Sequence, residues 1–462
     1  MFILMVVLFI IGYAAIALEH PIKIDKAASA LLLGSVMWVV YMLGVDGILS
    51  LGHSAAWNEY AAALTNPATL QDMQNFVTHS EVVHHLSEIA QILFFLLGAM
   101  TIVEIVDQHE GFKIITDRIH TTNKVKLLWI LSILTFFMSS VLDNLTTTIV
   151  MIALIRKLID DKETRWFYAG MVVLAANAGG AFSPIGDVTT IMLWIGGQIT
   201  AAKIILGVFI PSLLNILVPL IALSFIMKGS VSKPVVTDEN SKEFTSHKEQ
   251  LTILILGVSA LLFVPVFKTL THLPPYMGML LGLGVLWVVT EIMHKHKEGE
   301  DKRKLSVVAI LTRVDVPTVL FFLGILSAVA AMQSAGQLAV MAQFLDDKLG
   351  NVYLIGAAIG LLSAIIDNVP LVAGAMGMYP VEAAGATGYA ANFVQDGVFW
   401  EYLAYTAGTG GSILIIGSAA GVAAMGLEKI DFIWYLKRIS WLALLGYFAG
   451  VLFYWFEMTV LH

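Results

Sequence analysis

Two aspartate–asparagine pairs stand in the middle of long apolar segments of the sequence. They are Asp143-Asn144 and Asp367-Asn368. A charged carboxylate inside a bilayer is unstable unless a proton or a cation neutralises it or water solvates it. Near a chain turn, backbone carbonyl and asparagine oxygens add to the carboxylate, and a hard cation such as Na⁺ prefers oxygen ligands. The pairs therefore predict carboxyl groups that hold either a cation or a proton, with Na⁺ bound at these four residues.

A third carboxylate, Asp187, lies in a stretch that is rich in glycine and proline, residues 177–190. Glycine and proline within a membrane span indicate unwound backbone, which is tolerated only where it lines a cavity. Residues 408–418 repeat the glycine spacing and place Ser418 where the first stretch has Asp187. Close helix packing is the alternative explanation for glycine patches in a membrane.

Several hydroxyl groups near these carboxylates are candidate supporting residues. The hydroxyls beside the two pairs are those of Thr146, Thr147 and Ser363. Further supporting candidates, in the glycine-rich stretches and at the start of the first pair's motif, are Ser139, Thr409, Ser412 and Ser418. Glu88, within another apolar span, is a candidate proton relay. His79, His84 and His85 flank the outer end of that span and are expected to lie on the surface, with a pH-sensing role as the alternative.

The composition of the chain indicates a membrane protein. Its 462 residues are 58% apolar and 13% charged, whereas a soluble protein has about a quarter charged residues. Apolar runs of about eighteen or more residues recur along the chain, which is long enough for helices that cross a bilayer. We predict an all-α polytopic membrane protein.

Charge and motif content exclude several functional classes. The net charge of −8 offers no basic face for nucleic acid, and the chain has no cysteine for thiolate chemistry. A GxxxxGK[ST] phosphate loop is absent from the sequence, so ATP-driven pumping has no support. We expect neither a cofactor nor enzymatic activity.

The distribution of lysine and arginine predicts the topology, because cytoplasmic loops collect these residues. Segment 50–81 has none and is placed outside. About ten crossing helices follow if residues 127–155 and 352–378 each enter the membrane and return to the same side as re-entrant hairpins. The basic residues left outside are then Lys203, Lys268 and Lys348, so the other 23 of 26 lie inside. Both termini are predicted outside.

Three motifs of the first half return in the second half. The pairs begin at Phe94 and Phe321, at Ser139 and Ser363, and at Ala178 and Thr409, with intervals of 227, 224 and 231 residues. Since the charges place the two hairpins on opposite sides, the repeat is inverted, with an interrupted helix in each half. Inverted repeats with broken helices are typical of secondary transporters. A single Asp-Asn pair is also explained as a helix cap, but two at matching positions favour a functional site.

The strings SSVLDNLTTTIVM, AANAGGAFSPIGDVTTIMLWIGGQ and SAIIDNVPLVAGAMGMY resemble the NhaD-type sodium/proton antiporters of bacteria, within the ion transporter superfamily. The resemblance runs along the whole chain. It implies the bacterial inner membrane, a homodimer, and elevator-like movement of a transport unit against a scaffold. The ion-site positions that it implies are Asp143, Asn144, Asn177, Asp187, Thr190, Asp367 and Asn368. Sodium/dicarboxylate symporters of the same superfamily carry Ser-Asn-Thr at the hairpin tips, where this chain has Asp-Asn.

The resemblance also implies a division of the chain. The scaffold would comprise residues 1–123 and 251–350, and the transport unit residues 124–230 and 351–462. Residues 231–250, which are polar, are predicted to form a cytoplasmic linker between the halves.

The predicted function is antiport of cytoplasmic Na⁺ or Li⁺ against external protons on shared membrane carboxylates. An anion carrier of the same superfamily, for dicarboxylate, citrate or arsenite, is the alternative. The lack of lysine and arginine in the predicted core argues against it, because a bound anion needs a cationic partner. An intramembrane aspartyl protease also needs two membrane aspartates, but its GxGD motif is absent, since Pro184-Ile185 precedes Gly186-Asp187.

Overall fold

The computed structural model describes residues 1–232, 245–297 and 303–461. These residues form helices and connecting loops, and the described part of the chain contains no β-strand. These helices, eight of which are long and apolar enough to cross a membrane, confirm the predicted all-α polytopic membrane fold. Residues 233–244 of the predicted linker lie outside the described residues.

Seventeen helices position the site, and they are numbered here in chain order. In the first half they are α1 (Phe2–Ala17), α2 (Lys26–Leu43), α3 (Val82–Gln108), α4 (Lys124–Leu142), α5 (Asn144–Leu158), α6 (Lys162–Ala181), α7 (Val188–Ile195) and α8 (Ala201–Ile226). In the second half they are α9 (His247–Thr271), α10 (Pro275–Met293), α11 (Val316–Ser334), α12 (Gln337–Leu349), α13 (Val352–Leu362), α14 (Asn368–Met378), α15 (Val398–Gly410), α16 (Ala419–Glu428) and α17 (Ser440–Phe456).

Shorter helical segments connect them. The α-helical ones are Glu19–Ile22, Val45–Leu49, Ala55–Ala62, Leu70–Asn75, Lys113–Thr116, Val307–Leu311 and Phe432–Arg438. Phe76–Glu81 and Glu457–Leu461 are π-helical, and Gly388–Phe393 is a 3₁₀ helix.

Eight helical segments of the described chain are long and apolar enough to cross a membrane. They are Lys26–Leu43, Leu70–Gln108, Lys124–Leu142, Ala201–Ile226, His247–Thr271, Pro275–Met293, Val316–Ser334 and Ser440–Val460. Seven of them match predicted crossings, and Lys124–Leu142 is the first arm of a predicted hairpin. The other three predicted crossings comprise the 16-residue helix α1 and the two interrupted segments. The first interrupted segment begins with the 20-residue helix α6, whose first turn carries Lys162, Glu163 and Arg165, and the second begins with the 13-residue helix α15.

Helix α4 begins, and helix α5 ends, at the same side of the molecule. The amide of Lys124, at the start of α4, donates to the carbonyl of Gly229 at 3.0 Å. The amide of Asp160, just after α5, donates to the carbonyl of Ser232 at 2.9 Å. Both chain ends are thus tied to one short segment, and the chain reverses direction at Asp143.

The second helical pair, α13 and α14, is arranged in a similar way. The Tyr379 hydroxyl, which follows α14, donates to the Asp346 carboxylate at 2.9 Å. Asp346 lies in α12, directly before α13, so the two ends of this pair also lie close together. The reversal occurs at Ser363 to Asp367, between the helices.

The same packing contacts join each pair to the following helix. The Ser139 hydroxyl donates to the Ala176 carbonyl at 2.6 Å, and the Ser363 hydroxyl donates to the Ala407 carbonyl at 2.8 Å. A Cβ atom at Gly179 would overlap the carbonyl oxygen of Phe136, and one at Gly410 would overlap the carbonyl oxygen of Gly360. The repeated sequence motifs thus make matching backbone contacts in both halves.

Candidate ion-binding site

Asp187 lies at the centre of a buried polar cluster. It is the N-cap of α7, where the backbone resumes its helical course after the break that follows α6. Its Oδ1 atom accepts a hydrogen bond from the Thr189 amide at 3.0 Å, and the Thr190 hydroxyl donates to its backbone carbonyl at 2.9 Å. Only 1% of the residue is exposed. Local sequence therefore fixes one carboxyl group deep in the interior.

The two helical reversals meet at this carboxyl group. Asn144 Nδ2 donates to Asp187 Oδ2 at 2.8 Å, and Asn368 Nδ2 lies 3.2 Å from the same oxygen and 3.4 Å from Oδ1. Each asparagine is the first residue of a helix, α5 or α14, so the amides come from opposite halves of the sequence. The structure thus brings both Asp-Asn motifs to a common centre.

Asn177 links this centre to the second interrupted segment. Its Oδ1 atom accepts from Asn144 Nδ2 at 3.1 Å. Its Nδ2 atom donates to the hydroxyl oxygens of Ser412 and Ser418, each at 2.9 Å. All of these residues are buried. Amide, hydroxyl and carboxyl groups from both halves therefore form one connected network.

Asp143 and Asp367 flank the network and act as helix caps. Asp143 Oδ1 accepts from the Thr146 amide at 2.9 Å, and its Oδ2 accepts from the Thr146 hydroxyl at 2.8 Å. Asp367 Oδ1 accepts from the Val369 amide at 3.0 Å. Capping by these carboxylates stabilises the starts of α5 and α14. The capping interpretation is thus confirmed, while their role as carriers of ions stays a prediction.

Asp143 also has an unusual backbone conformation. Its φ is 76° and its ψ is 159°, a region that residues with a side chain rarely adopt. Backbone strain of this kind persists where the surrounding structure enforces it, and it is common at functional sites. The first reversal is therefore held in place by its surroundings.

Besides Thr190, three of the predicted supporting hydroxyls bond to backbone carbonyls. Those of Ser139 and Ser363 make the interhelical contacts described above, and the Thr409 hydroxyl donates to the Tyr405 carbonyl at 2.6 Å. The Thr147 hydroxyl is buried without a hydrogen-bond partner in the described part of the chain. These groups support the helices around the cluster, whereas Ser412 and Ser418 take part in it.

Comparisons with known proteins identify the family of the chain. The sequence profile of a family described as citrate transporter matches residues 6–408 of the chain. This chain belongs to that family. Its relatives include sodium/proton antiporter 1 of Arabidopsis thaliana, 47% identical over 97% of this chain and 71% of that protein. Sodium/proton antiporter 2 of the same plant is 43% identical, over 97% of this chain and 98% of that protein.

The resemblance to the NhaD type within this family is confirmed. The Na⁺/H⁺ antiporter NhaD of Vibrio cholerae is 30% identical to the chain, over 96% of this chain and 89% of that protein. Its counterpart in Alkalimonas amylolytica is 28% identical, over 99% of this chain and 91% of that protein. The similarity thus covers both halves of the family fold.

Glu88 lies apart from the central network. Its carboxylate contacts His84 Nε2 at 3.3 Å and His85 Nδ1 at 3.4 Å. Together with Met192 and Met376, Glu88 and His85 line a separate cavity of about 260 Å³. The expectation of a surface position is wrong for His85, which is 6% exposed, because its Nε2 atom pairs with the Ser334 hydroxyl of α11 at 3.1 Å.

A second cavity, of about 440 Å³, reaches Asp367. Tyr13, Lys26 and Phe321 from the first part of the chain and from α11 line it together with Asp367 and Val422. Lys26 brings one ammonium group to this cavity, whereas the hydrogen bonds of the central network join only asparagine, aspartate and serine side chains. Sequence reasoning missed Lys26 and Tyr13 because they precede Asp367 by more than 300 positions, and no motif marks either residue.

Proposed function

We propose that this chain is a secondary active antiporter that exchanges Na⁺ or Li⁺ for protons. The observation that carries the proposal is the convergence of Asn144 and Asn368, from the two reversals, on the single buried carboxyl group of Asp187. The names of the relatives, sodium/proton antiporters in a plant and in bacteria, support the same exchange.

Asp187 is the central carrier in this proposal. A desolvated carboxylate needs one positive charge nearby, and either a proton or Na⁺ supplies it. Na⁺ would be held by carboxylate oxygen, by the side-chain oxygens of Asn144, Asn177 and Asn368, and by serine hydroxyls of the second interrupted segment. Asn177 already directs its side-chain oxygen at Asn144 within the network. The Asn144 and Asn368 amides point N–H groups at Asp187, and turning either amide would bring a further oxygen to the cation.

Asp143 and Asp367 complete the proposed site as flanking carriers. Each has one carboxylate bonded to the start of a helix and lies next to an asparagine of the central network. Carboxylates at both reversals would raise the local concentration of cations and accept the protons that return. The loss of Na⁺ and the gain of protons are then alternatives at one group of carboxylates, and this makes the exchange competitive.

The fold supports an alternating-access mechanism for this exchange. The matching contacts of Ser139 and Ser363 support a structural repeat. In each helical pair the start of the first helix lies close to the end of the second, which supports two re-entrant hairpins. The predicted topology places the two hairpins on opposite sides and so makes the repeat inverted. We propose the division predicted from sequence, with residues 124–230 and 351–462 moving against a scaffold of residues 1–123 and 251–350. A homodimer, both termini outside and a bacterial inner membrane belong to the same proposal.

An anion carrier is the second candidate. The family's description as citrate transporter and the lysine in the Asp367 cavity favour it. The hydrogen bonds that the Asp187 carboxylate accepts, however, come from amide groups. Three nearby carboxyl groups would repel a bound carboxylate ligand. The arrangement therefore supports a cation as the transported species.

Proteoliposomes with an imposed pH gradient test the proposal. Addition of Na⁺ or Li⁺ should collapse the gradient with the unaltered protein and fail to do so with Asp187→Asn. Asp161→Asn is the matched control, because Asp161 also caps a helix but lies at the start of α6, at the opposite end of that helix from Asp187. Asparagine is an equally good helix cap, so this substitution should leave the fold intact. Exchange should also fall in acid, since protons then displace Na⁺. Full exchange by Asp187→Asn, or uptake of labelled citrate without Na⁺/H⁺ exchange, would overturn the proposal.

A further inference from the structure

The cavity that reaches Asp367 lies between parts of the chain that we assign to different units. Tyr13 of α1, Lys26 of α2 and Phe321 of α11 belong to the proposed scaffold. Asp367 and Val422 belong to the proposed transport unit. A smaller neighbouring cavity shares Glu19, Lys26 and Val422 with it. Movement of one unit against the other would therefore separate Lys26 from Asp367.

Lys26 is held firmly on the scaffold side of this cavity. Its Nζ atom lies 4.7 Å from the centre of the Phe321 ring, a cation–π contact. It is the first residue of α2, and the preceding Asp25 caps that helix by accepting from the Ala27 amide at 2.7 Å. Helices α2 and α11 pack closely, with Gly34 of α2 against the Gly324 carbonyl of α11. The ammonium group is thus fixed to the scaffold.

Lys26 supplies the positive charge in the two cavities near Asp367. No other lysine or arginine lines either cavity in the described part of the chain. The acidic groups at the cavity walls are Glu19, Asp25, Asp315 and Asp367. Lys26 and Asp367 line the same cavity. A cation that approaches Asp367 through this cavity therefore meets a fixed ammonium group of the same charge.

We propose that the Lys26 ammonium group competes with the transported cation for the Asp367 carboxylate at the membrane face to which this cavity opens. This inference rests on the proposed function. An ammonium group and Na⁺ carry equal charge, so each weakens the attraction of the other to a single carboxylate. Since Lys26 stays with the scaffold, the competition ends when Asp367 moves away. Lys26 thus lowers the affinity for Na⁺ at one face of the membrane and leaves the other face unaffected.

Kinetics measured separately at the two membrane faces test this inference. The variants are Lys26→Met, which keeps an unbranched stem against Phe321, Lys26→Gln, as a second neutral variant, and Lys26→Arg, which keeps the charge. Lys23→Met is the matched control, because Lys23 is exposed, close in sequence and absent from both cavity walls. Each is assayed in everted and in right-side-out membrane vesicles, with the rate of Na⁺-dependent proton movement as the readout.

Both neutral variants should lower the half-saturating Na⁺ concentration about three- to tenfold at one face only, the range expected for one charge across a hydrated cavity. From the predicted topology this is the cytoplasmic face, which everted vesicles present. Lys26→Arg and Lys23→Met should match the unaltered protein. An unchanged half-saturating concentration in the neutral variants, an equal change at both faces, or an arginine variant that behaves like the neutral ones would overturn the inference.

A binding measurement separates this inference from the proposed function. Equilibrium binding of ²²Na⁺ to the purified protein in detergent should be tighter in Lys26→Met than in the unaltered protein. If the unaltered protein exchanges no Na⁺ for protons, the proposed function fails, whereas the binding comparison still decides the role of Lys26. Equal ²²Na⁺ affinities in the two proteins would overturn it.

Discussion

The two halves of the central site share a backbone frame but differ in their chemistry. Ser139 and Ser363 make matching hydrogen bonds to the following helix, and Gly179 and Gly410 allow equivalent close approaches. At the centre, however, the first half supplies Asp187 as the cap of α7, whereas the second half supplies Ser418 as the cap of α16. Small residues thus preserve the shape in both halves, while the central carboxyl group comes from the first half alone.

This difference indicates how a duplicated fold becomes a site for a single charge. Two carboxyl groups at equivalent central positions would lie close together, and like charges in a desolvated site cannot both ionise. A hydroxyl in the second half accepts a hydrogen bond from Asn177 at 2.9 Å without adding charge. The asymmetry therefore favours a centre that is neutralised by one proton or one monovalent cation.

Substitution of the central residue Asp187 should have the largest effect on Na⁺-dependent proton exchange, and substitution of its counterpart Ser418 a smaller one. Asp187→Ser removes the charge that balances a desolvated cation, so we expect Na⁺-dependent proton exchange to fall by about two orders of magnitude or more. Ser418→Ala removes one hydroxyl and should cost about three- to tenfold. Exchange in proteoliposomes at matched protein content measures both. Losses of equal size would mean that the two central positions are functionally equivalent.

Filling the equivalent close approaches should damage both halves alike. In Gly179→Ala and in Gly410→Ala the new methyl group would overlap a backbone carbonyl, of Phe136 or Gly360. Overpacking of this kind costs about 1–3 kcal/mol or more, so both variants should give much less monodisperse protein in detergent. Gly284→Ala is the control, since that helical position has open space around it. Tolerance of one substitution and not the other would break the structural equivalence of the halves.

Much of the fold could be predicted from the sequence because lipid imposes simple rules. Apolar length located the long helices, and the glycine and proline residues around Asp187 located the first break. The repeat placed Ser363 opposite Ser139 in equivalent roles. Polar residues within the apolar segments also selected those that the structure brings together, Asn144, Asn177 and Asn368 among them.

The ranking within the site could not be obtained in the same way. The sequence gives the carboxyl groups of Asp143 and Asp367 the same apparent importance as that of Asp187, because all three lie in apolar segments. Only the folded arrangement shows that two asparagine amides meet at Asp187, while the other two carboxylates cap helices. The contact of Lys26 with Phe321 likewise joins distant parts of the chain, and no local pattern encodes it.

The smallest expected difference separates the two asparagines. Asn144 donates to Asp187 at 2.8 Å and to Asn177 at 3.1 Å, whereas Asn368 contacts only the Asp187 carboxylate among the described hydrogen-bond partners, at 3.2 and 3.4 Å. Loss of the shorter, doubly bonded amide should therefore cost more. We expect Asn144→Ala to raise the half-saturating Na⁺ concentration about tenfold and Asn368→Ala about threefold.

Initial rates of Na⁺-dependent exchange over a range of Na⁺ concentrations distinguish the two asparagine variants. Asn351→Ala is a suitable control, since Asn351 caps α13 through the amides of Tyr353 and Leu354 and takes no part in the central network. It should leave the half-saturating concentration unchanged. A larger effect of Asn368→Ala than of Asn144→Ala would show that the second reversal, rather than the first, controls access of the cation to Asp187.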